Sequence, residues 1–82
     1  MYFVYILYSA KCNKYYIGFS TDVTARLLRH NSGMVTATKN CRPYSLIKTK
    51  SFPTEALARA EEKRLKRMKS RTYLERLIKE NW

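Results

Sequence analysis

Two short apolar runs near the N-terminus, each centred on tyrosine and joined by a polar segment, constrain this chain more than any other feature. Phe3-Val4-Tyr5-Ile6-Leu7 sits within a stretch from Tyr2 to Tyr8 that is β-branched, aromatic and nearly continuously apolar. That is the composition of a central strand. Ser9 to Lys14 is polar, and Tyr15 to Phe19 returns as a second apolar run. The pattern predicts a hairpin, with Gly18 letting the backbone turn sharply where the second run ends.

The next segment reads as a helix. Thr21 or Asp22 can accept a hydrogen bond from a first-turn N–H, and the helix is expected from Val23 to His30 with Val23 and Leu27 on one face. It ends at Asn31-Ser32-Gly33, where Gly33 supplies a left-handed position. Met34 to Arg42 is a polar, Thr/Lys-rich loop closed by Pro43. Tyr44 to Phe52 contains a third strand centred on Leu46-Ile47. Thr54 caps a long helix running to about Lys69, with Leu57, Leu65 and Met68 as its apolar stripe. Ser70 caps a last helix that buries Tyr73, Leu74, Leu77 and Ile78. No repeat or linker interrupts the chain, so residues 1–82 read as one α+β domain of order β-β-α-β-α-α.

Charge sets the partner class. The chain carries 17 Lys and Arg against 6 Asp and Glu, a net +11, yet it is 45% hydrophobic and too apolar for disorder. Such a balance attracts polyanions, nucleic acid first. Twelve of the basic residues lie from Arg42 onward, seven of them between Arg59 and Arg71. One reading of that segment is a solvated helix face with Leu65 and Met68 turned inward. The other is a phosphate-tracking surface made of Arg59, Lys63, Lys66, Arg67, Lys69 and Arg71, with Lys39 added from the loop.

Cys12 and Cys41 are isolated, and His30 is the only histidine, so a zinc site is not expected. Both cysteines are expected to stay reduced in a cytoplasmic protein. No basic leader precedes the first strand, and no apolar run approaches the ~20 residues that span a bilayer.

Hydrolysis of a phosphodiester needs a base for the attacking water, compensation for phosphoryl charge and help for the leaving oxygen. The acidic inventory is Asp22, Glu55, Glu61, Glu62, Glu75 and Glu80, and no spacing clusters several of them. A single carboxylate anchoring Mg²⁺ or Mn²⁺, with waters and substrate completing the shell, is the arrangement it permits.

The order of these residues resembles the GIY-YIG nuclease superfamily, in particular its small stand-alone bacterial members. Phe3-Val4-Tyr5 stands in the Gly-Ile-Tyr slot without its glycine, and Tyr16-Ile17-Gly18 fills the second motif intact. Arg26 and His30 match the family arginine on the first helix and the histidine one turn later. Asn31-Ser32-Gly33 and Lys69-Ser70-Arg71 match the small bacterial members. Glu62 before Leu65 and Lys66 matches the family glutamate. Phe19 stands where some members have a lysine.

The resemblance implies a small three-stranded antiparallel sheet flanked by helices, and catalytic roles for Tyr5, Tyr16, Arg26, His30 and Glu62. One of the two phenols would help deprotonate water, although a free tyrosine has a pKa of ~10 and needs a nearby cation to act as a base. Arg26 would grip phosphate oxygens through its planar donor fork. His30 would relay a proton, and Glu62 would hold the metal. Glu61 competes for that last role, because it falls within the helix stripe and Glu62 on its flank; the match to Leu65-Lys66 favours Glu62.

The function expected is a metal-dependent, structure-selective endonuclease acting on DNA in repair or processing, with RNA possible. It would need no small-molecule cofactor and no membrane, and would act as a monomer or weak dimer. The alternatives are a non-catalytic basic nucleic-acid-binding module and, more weakly, a protein that docks an acidic partner.

Overall fold

The computed structural model describes residues 1–80 and Trp82. The apolar runs form β1 (Tyr2–Ser9) and β2 (Lys14–Ser20), followed by α1 (Val23–Asn31), β3 (Ser45–Phe52), α2 (Glu55–Met68) and α3 (Arg71–Lys79). The three strands make one antiparallel sheet of order β2-β1-β3, so the most apolar run lies in the middle. This is the expected β-β-α-β-α-α domain with its three-stranded sheet.

Alternation along β1 divides the core. Val4 and Ile6 face one way and pack with Ile17, Ala58, Leu65 and Leu74, under α2 and α3. Tyr5 and Leu7 face the other way and pack with Tyr16, Val23, Leu27, Cys41 and Tyr44, under α1. β1 is therefore buried on both faces, which is why it reads as continuously apolar. Register follows the same parity: Tyr5 pairs with Gly18 and Leu7 with Tyr16 across β1 and β2.

Side chains cap each helix start. Asp22, rather than Thr21, accepts from the Ala25 N–H at 3.0 Å. Thr54 accepts from Leu57 N–H and Ser70 from Tyr73 N–H. After α1, Gly33 adopts φ +84°, as expected of a left-handed terminus. The last turn is closed by Gly33 N–H to His30 O and Met34 N–H to Arg29 O.

Four expectations change. Gly18 does not turn the chain: β2 continues through Phe19 to Ser20, and Gly18 instead makes room for the Tyr5 ring. A Cβ on Gly18 would come within 2.6 Å of Tyr5 Cζ. The stripe of α2 is not Leu57-Leu65-Met68, because Leu57 and Met68 are 51% and 45% exposed while Ala58 and Leu65 are buried. Small Ala58 lets the helix approach the sheet closely, and this turns Leu57 outward. The segment 34–42 is not simply a polar loop, since Lys39–Cys41 forms a 3-10 turn and Thr38 before it is fully buried.

The cysteines are not reduced: Cys12 and Cys41 form a disulfide with their Cα atoms 5.4 Å apart. They are 29 residues apart in sequence. Because β1 is antiparallel to both neighbours, the loop after its C-terminal end and the entry to β3 meet at one end of the sheet. Ser9 joins them further, accepting from Cys12 N–H and donating to the Cys41 carbonyl. Among the described residues no helix is long and apolar enough to cross a membrane.

Candidate active site

The site begins at Tyr5, whose ring lies across Gly18 and is 1% exposed. A central strand supplies the phenol, and the missing side chain opposite it lets the ring lean toward the β2 edge. There its hydroxyl meets His30 Nε2 at 3.1 Å. His30 is equally buried, and its Nδ1 lies 2.9 Å from Thr38 Oγ1. Thr38 donates in turn to the Val35 carbonyl. That last bond fixes the direction of the chain: the Thr38 oxygen accepts from Nδ1–H, leaving Nε2 to accept from Tyr5 O–H. We assign the tautomer on this basis.

Electrostatics agree with a neutral chain. Burial pushes the Tyr5 phenol up to about 12, with Tyr16 and Glu62 adding to the rise and Arg26 and Arg29 opposing it. His30 is pushed below its usual value by burial first, then by the Arg26 and Arg29 charges. Both groups therefore stay uncharged at neutral pH, as donor and acceptor of one bond.

Aromatic rings surround the imidazole. The Tyr16 ring lies 4.8 Å from it and the Tyr44 ring 6.2 Å, both measured between centroids. Asn31, the last residue of α1, holds Tyr44 in place by accepting from its N–H at 2.6 Å and donating to its carbonyl at 3.1 Å. Burial, with a contribution from Tyr16, also raises the Tyr44 phenol.

The carboxylate side comes from α2. The Lys66 ammonium lies 5.7 Å over the Tyr16 ring and 3.6 Å from Glu62. Because Tyr16 sits on an edge strand, this pair reaches the tyrosine cluster around the β2 edge of the sheet. The Glu62 side chain is 17% exposed. Its neighbour Glu61 is committed elsewhere, accepting from Arg64 through both carboxylate oxygens, at 2.7 and 2.8 Å, and from Trp82 Nε1. The Arg64 bonds hold its carboxyl below the usual range. Among the described residues no three His, Cys, Asp or Glu side chains cluster, and the carboxylate nearest the tyrosines is Glu62. Mg²⁺ and Mn²⁺ suit a single carboxylate, since waters and phosphate oxygens can complete their shells.

Tyr5, Tyr16, His30 and the half-buried Arg26 thus share the α1 side of the sheet, and Glu62 approaches from its edge. The expected phosphate-tracking residues behave less uniformly. Arg59 pairs with Glu55, and Arg71 donates to the Asn13 carbonyl and Oδ1 while stacking on Tyr15. Lys39, Lys63, Arg67 and Lys69 are exposed, and Lys66 adjoins the tyrosines. Sequence reasoning passed over Thr38, Tyr44 and the structural use of Asn31. Thr38 is one polar residue among several in a polar segment, and nothing in the order of residues marks it as the one that turns inward.

With this geometry in place, comparison with known proteins identifies the family. The model of the GIY-YIG catalytic domain matches residues 1–75. The chain belongs to the GIY-YIG family. Its members are nucleases, and their substrates are nucleic acids. A UPF0213 protein of Listeria welshimeri is 39% identical to this GIY-YIG chain over 76 residues, covering 85% of this chain and 84% of its own. Another, from Streptococcus pneumoniae serotype 4, is 36% identical over 80 residues and covers 96% and 79%. The solution NMR structure of a UPF0213 protein from Bacillus halodurans superposes with a TM-score of 0.59 at 34% identity, covering 96% of this chain and 84% of that one.

Proposed function

We propose that this GIY-YIG chain is a divalent-metal-dependent endonuclease acting on DNA, with a preference for structure over sequence. The observation that carries the reading is the buried chain Tyr5–His30–Thr38, packed against Tyr16, with Arg26 and Glu62 near enough to act electrostatically on Tyr5. A satisfied buried relay rigidifies a core by itself, and its place near a guanidinium and a carboxylate is what supports a catalytic reading.

The two phenols take different parts. Tyr5 is buried, donates to His30 and is pushed up to about 12, so it suits positioning and proton holding rather than abstraction. Tyr16 is half-buried, with the Lys66 ammonium above its ring, and is the phenol better placed to meet water. His30 packs edge-to-face with Tyr16 and positions the Tyr5 hydroxyl by accepting its hydrogen bond at Nε2, both groups remaining neutral. Arg26 receives phosphoryl oxygens, where a preorganised cation acts most strongly as charge develops. Glu62 would hold the cation, which neutralises charge on the phosphoryl and leaving oxygens when bound. Most of this domain is spent on one sheet and its helices, leaving the connection between α1 and β3 as the one long segment for base readout, which supports recognition of shape and backbone.

The test is incubation with supercoiled plasmid and with branched DNA in Mg²⁺, Mn²⁺ or EDTA, beside Arg26→Ala. Cleavage by the wild type that EDTA abolishes and Arg26→Ala lacks is expected. Binding without cleavage under every metal condition would establish the non-catalytic module instead.

A further inference from the structure

On the far side of Lys66 from the tyrosine cluster lies a groove of about 280 Å³, between β2, the end of α2 and the start of α3. Beneath it lie the core residues Ile17, Leu65 and Leu74, each nearly buried, and the partly exposed Tyr15 ring beside them completes an apolar floor. Lys14, Lys66, Lys69 and Arg71 line it, and no carboxylate does. Arg71 is occupied with Asn13, Tyr15 and Glu75, the last of which also accepts from the Tyr15 hydroxyl behind the groove wall, and Lys66 with Glu62. Lys14 and Lys69 are exposed and have no side-chain partner among the described residues. The first turn of α3 contains no acidic residue, so the positive end of its dipole adds to the lysines rather than being offset.

We propose that this groove receives one unpaired nucleotide of the substrate strand, with its base against the apolar floor and its phosphate between Lys14 and Lys69. The proposal rests on the nuclease reading above and adds a substrate class to it: a strand with a single-stranded segment beside the cleaved bond. A continuous duplex offers its phosphates outward and keeps its bases stacked inside, so it would use the lysines and leave the floor uncovered. An unstacked base covers both, as in surfaces that combine a cationic track with a stacking platform. The volume lies near the lower end of the ~300 Å³ and above typical of small-molecule pockets, which admits one nucleotide and not a base pair. Lys66 belongs both to the groove wall and to the Tyr16 contact, so around the β2 edge the groove is one side chain away from the tyrosine cluster.

Fluorescence anisotropy in EDTA, with a labelled blunt duplex and the same duplex carrying a single-stranded overhang of either polarity, tests this. The wild type is expected to favour one overhang by about tenfold, within the range for stacking one base. Lys14→Gln with Lys69→Gln should bring the two substrates close to parity. It should also reduce the salt slope on the overhang by about 0.7, the value for one neutralised phosphate on a single strand. Lys63→Gln with Arg67→Gln removes the same charge from exposed α2 positions outside the groove, and should weaken both substrates alike while keeping the preference. A wild type that binds blunt and overhanging duplexes equally overturns the groove and leaves the nuclease reading standing. The same holds if the Lys63/Arg67 pair abolishes the preference as fully as the Lys14/Lys69 pair. A wild type that binds neither substrate at low salt overturns both.

Discussion

Glu61 and Glu62 are adjacent, chemically identical and used for different things. Glu61 is locked by Arg64 and Trp82, so Glu61→Gln is expected to lower stability by about 1 kcal/mol, the half-exposed Arg64 limiting the loss, while cleavage continues. Glu62→Gln should do the reverse, removing the charge that would hold the cation: cleavage collapses while DNA binding persists. Paired denaturation and cleavage assays on the two variants check this, and an inactive Glu61→Gln beside an active Glu62→Gln would move the site by one residue. Gly18→Ala presses a methyl group onto Tyr5 and should cost about 1–3 kcal/mol together with cleavage; an alanine variant of unchanged stability would remove the packing role given to Gly18. His30 gives a pH signature. Its pKa is lowered in the folded state, so below its unfolded value of ~6.5 the unfolded chain binds the extra proton and the folded chain does not. Stability should therefore fall as pH drops below about 6.5, by up to ~1.4 kcal/mol per pH unit, until the folded-state pKa is reached. Denaturation midpoints across that window should flatten in His30→Gln.

At the scale of elements, the segment from Val35 to Cys41 matters more than its polar composition suggests. It turns Thr38 inward beneath His30, and the adjoining 3-10 turn is fixed to the hairpin loop through Cys12–Cys41. Cys41 N–H bonds to the Thr38 carbonyl, so the covalent tie lies one turn from the residue that orients the imidazole. Linking residues 29 apart is worth about 3–4 kcal/mol on chain-entropy grounds. Reduction, or Cys12→Ser with Cys41→Ser, is accordingly expected to lower the denaturation midpoint and to slow cleavage more than DNA binding, since Thr38 and His30 lose their support while the basic helix does not. Equal midpoints for oxidised and reduced protein would show that Ser9 alone holds the two segments together. Lys48 forms a similar bridge elsewhere, donating to the Leu77 and Ile78 carbonyls at the end of α3 and so tying β3 to the last helix.

For the whole molecule the governing quantity is a net charge of +11 on a small domain. Binding to DNA should weaken steeply with salt, by roughly 10³ or more between low and physiological concentrations if six or more phosphates are neutralised. A titration that stays flat over that range would point to an acidic protein partner. On the proposed reading, Arg26→Ala should weaken binding modestly and slow cleavage by ~10²–10³, the loss expected when one donor to transition-state charge is removed.

The elements were legible because local signals agreed with one another. Apolar runs of strand length, capping residues at Asp22, Thr54 and Ser70, and a left-handed Gly33 each specify a boundary without help from distant residues. The order Tyr5, Tyr16, Arg26, His30, Glu62 was likewise readable, since it is a linear property of the chain. What the sequence could not specify was which way side chains turn once elements pack. Leu57 and Met68 face outward because Ala58 brings α2 close to the sheet, and Gly18 yields space rather than a bend because Tyr5 lies opposite it. Two cysteines 29 residues apart become neighbours only after β1 has paired with both of its flanking strands, and Thr38 turns in beneath His30 through the local path of the chain after α1. Local propensity fixes where elements start and stop, whereas contacts between residues far apart in the chain exist only in the packed sheet, and the buried relay depends on one of these, the bond from Tyr5 to His30.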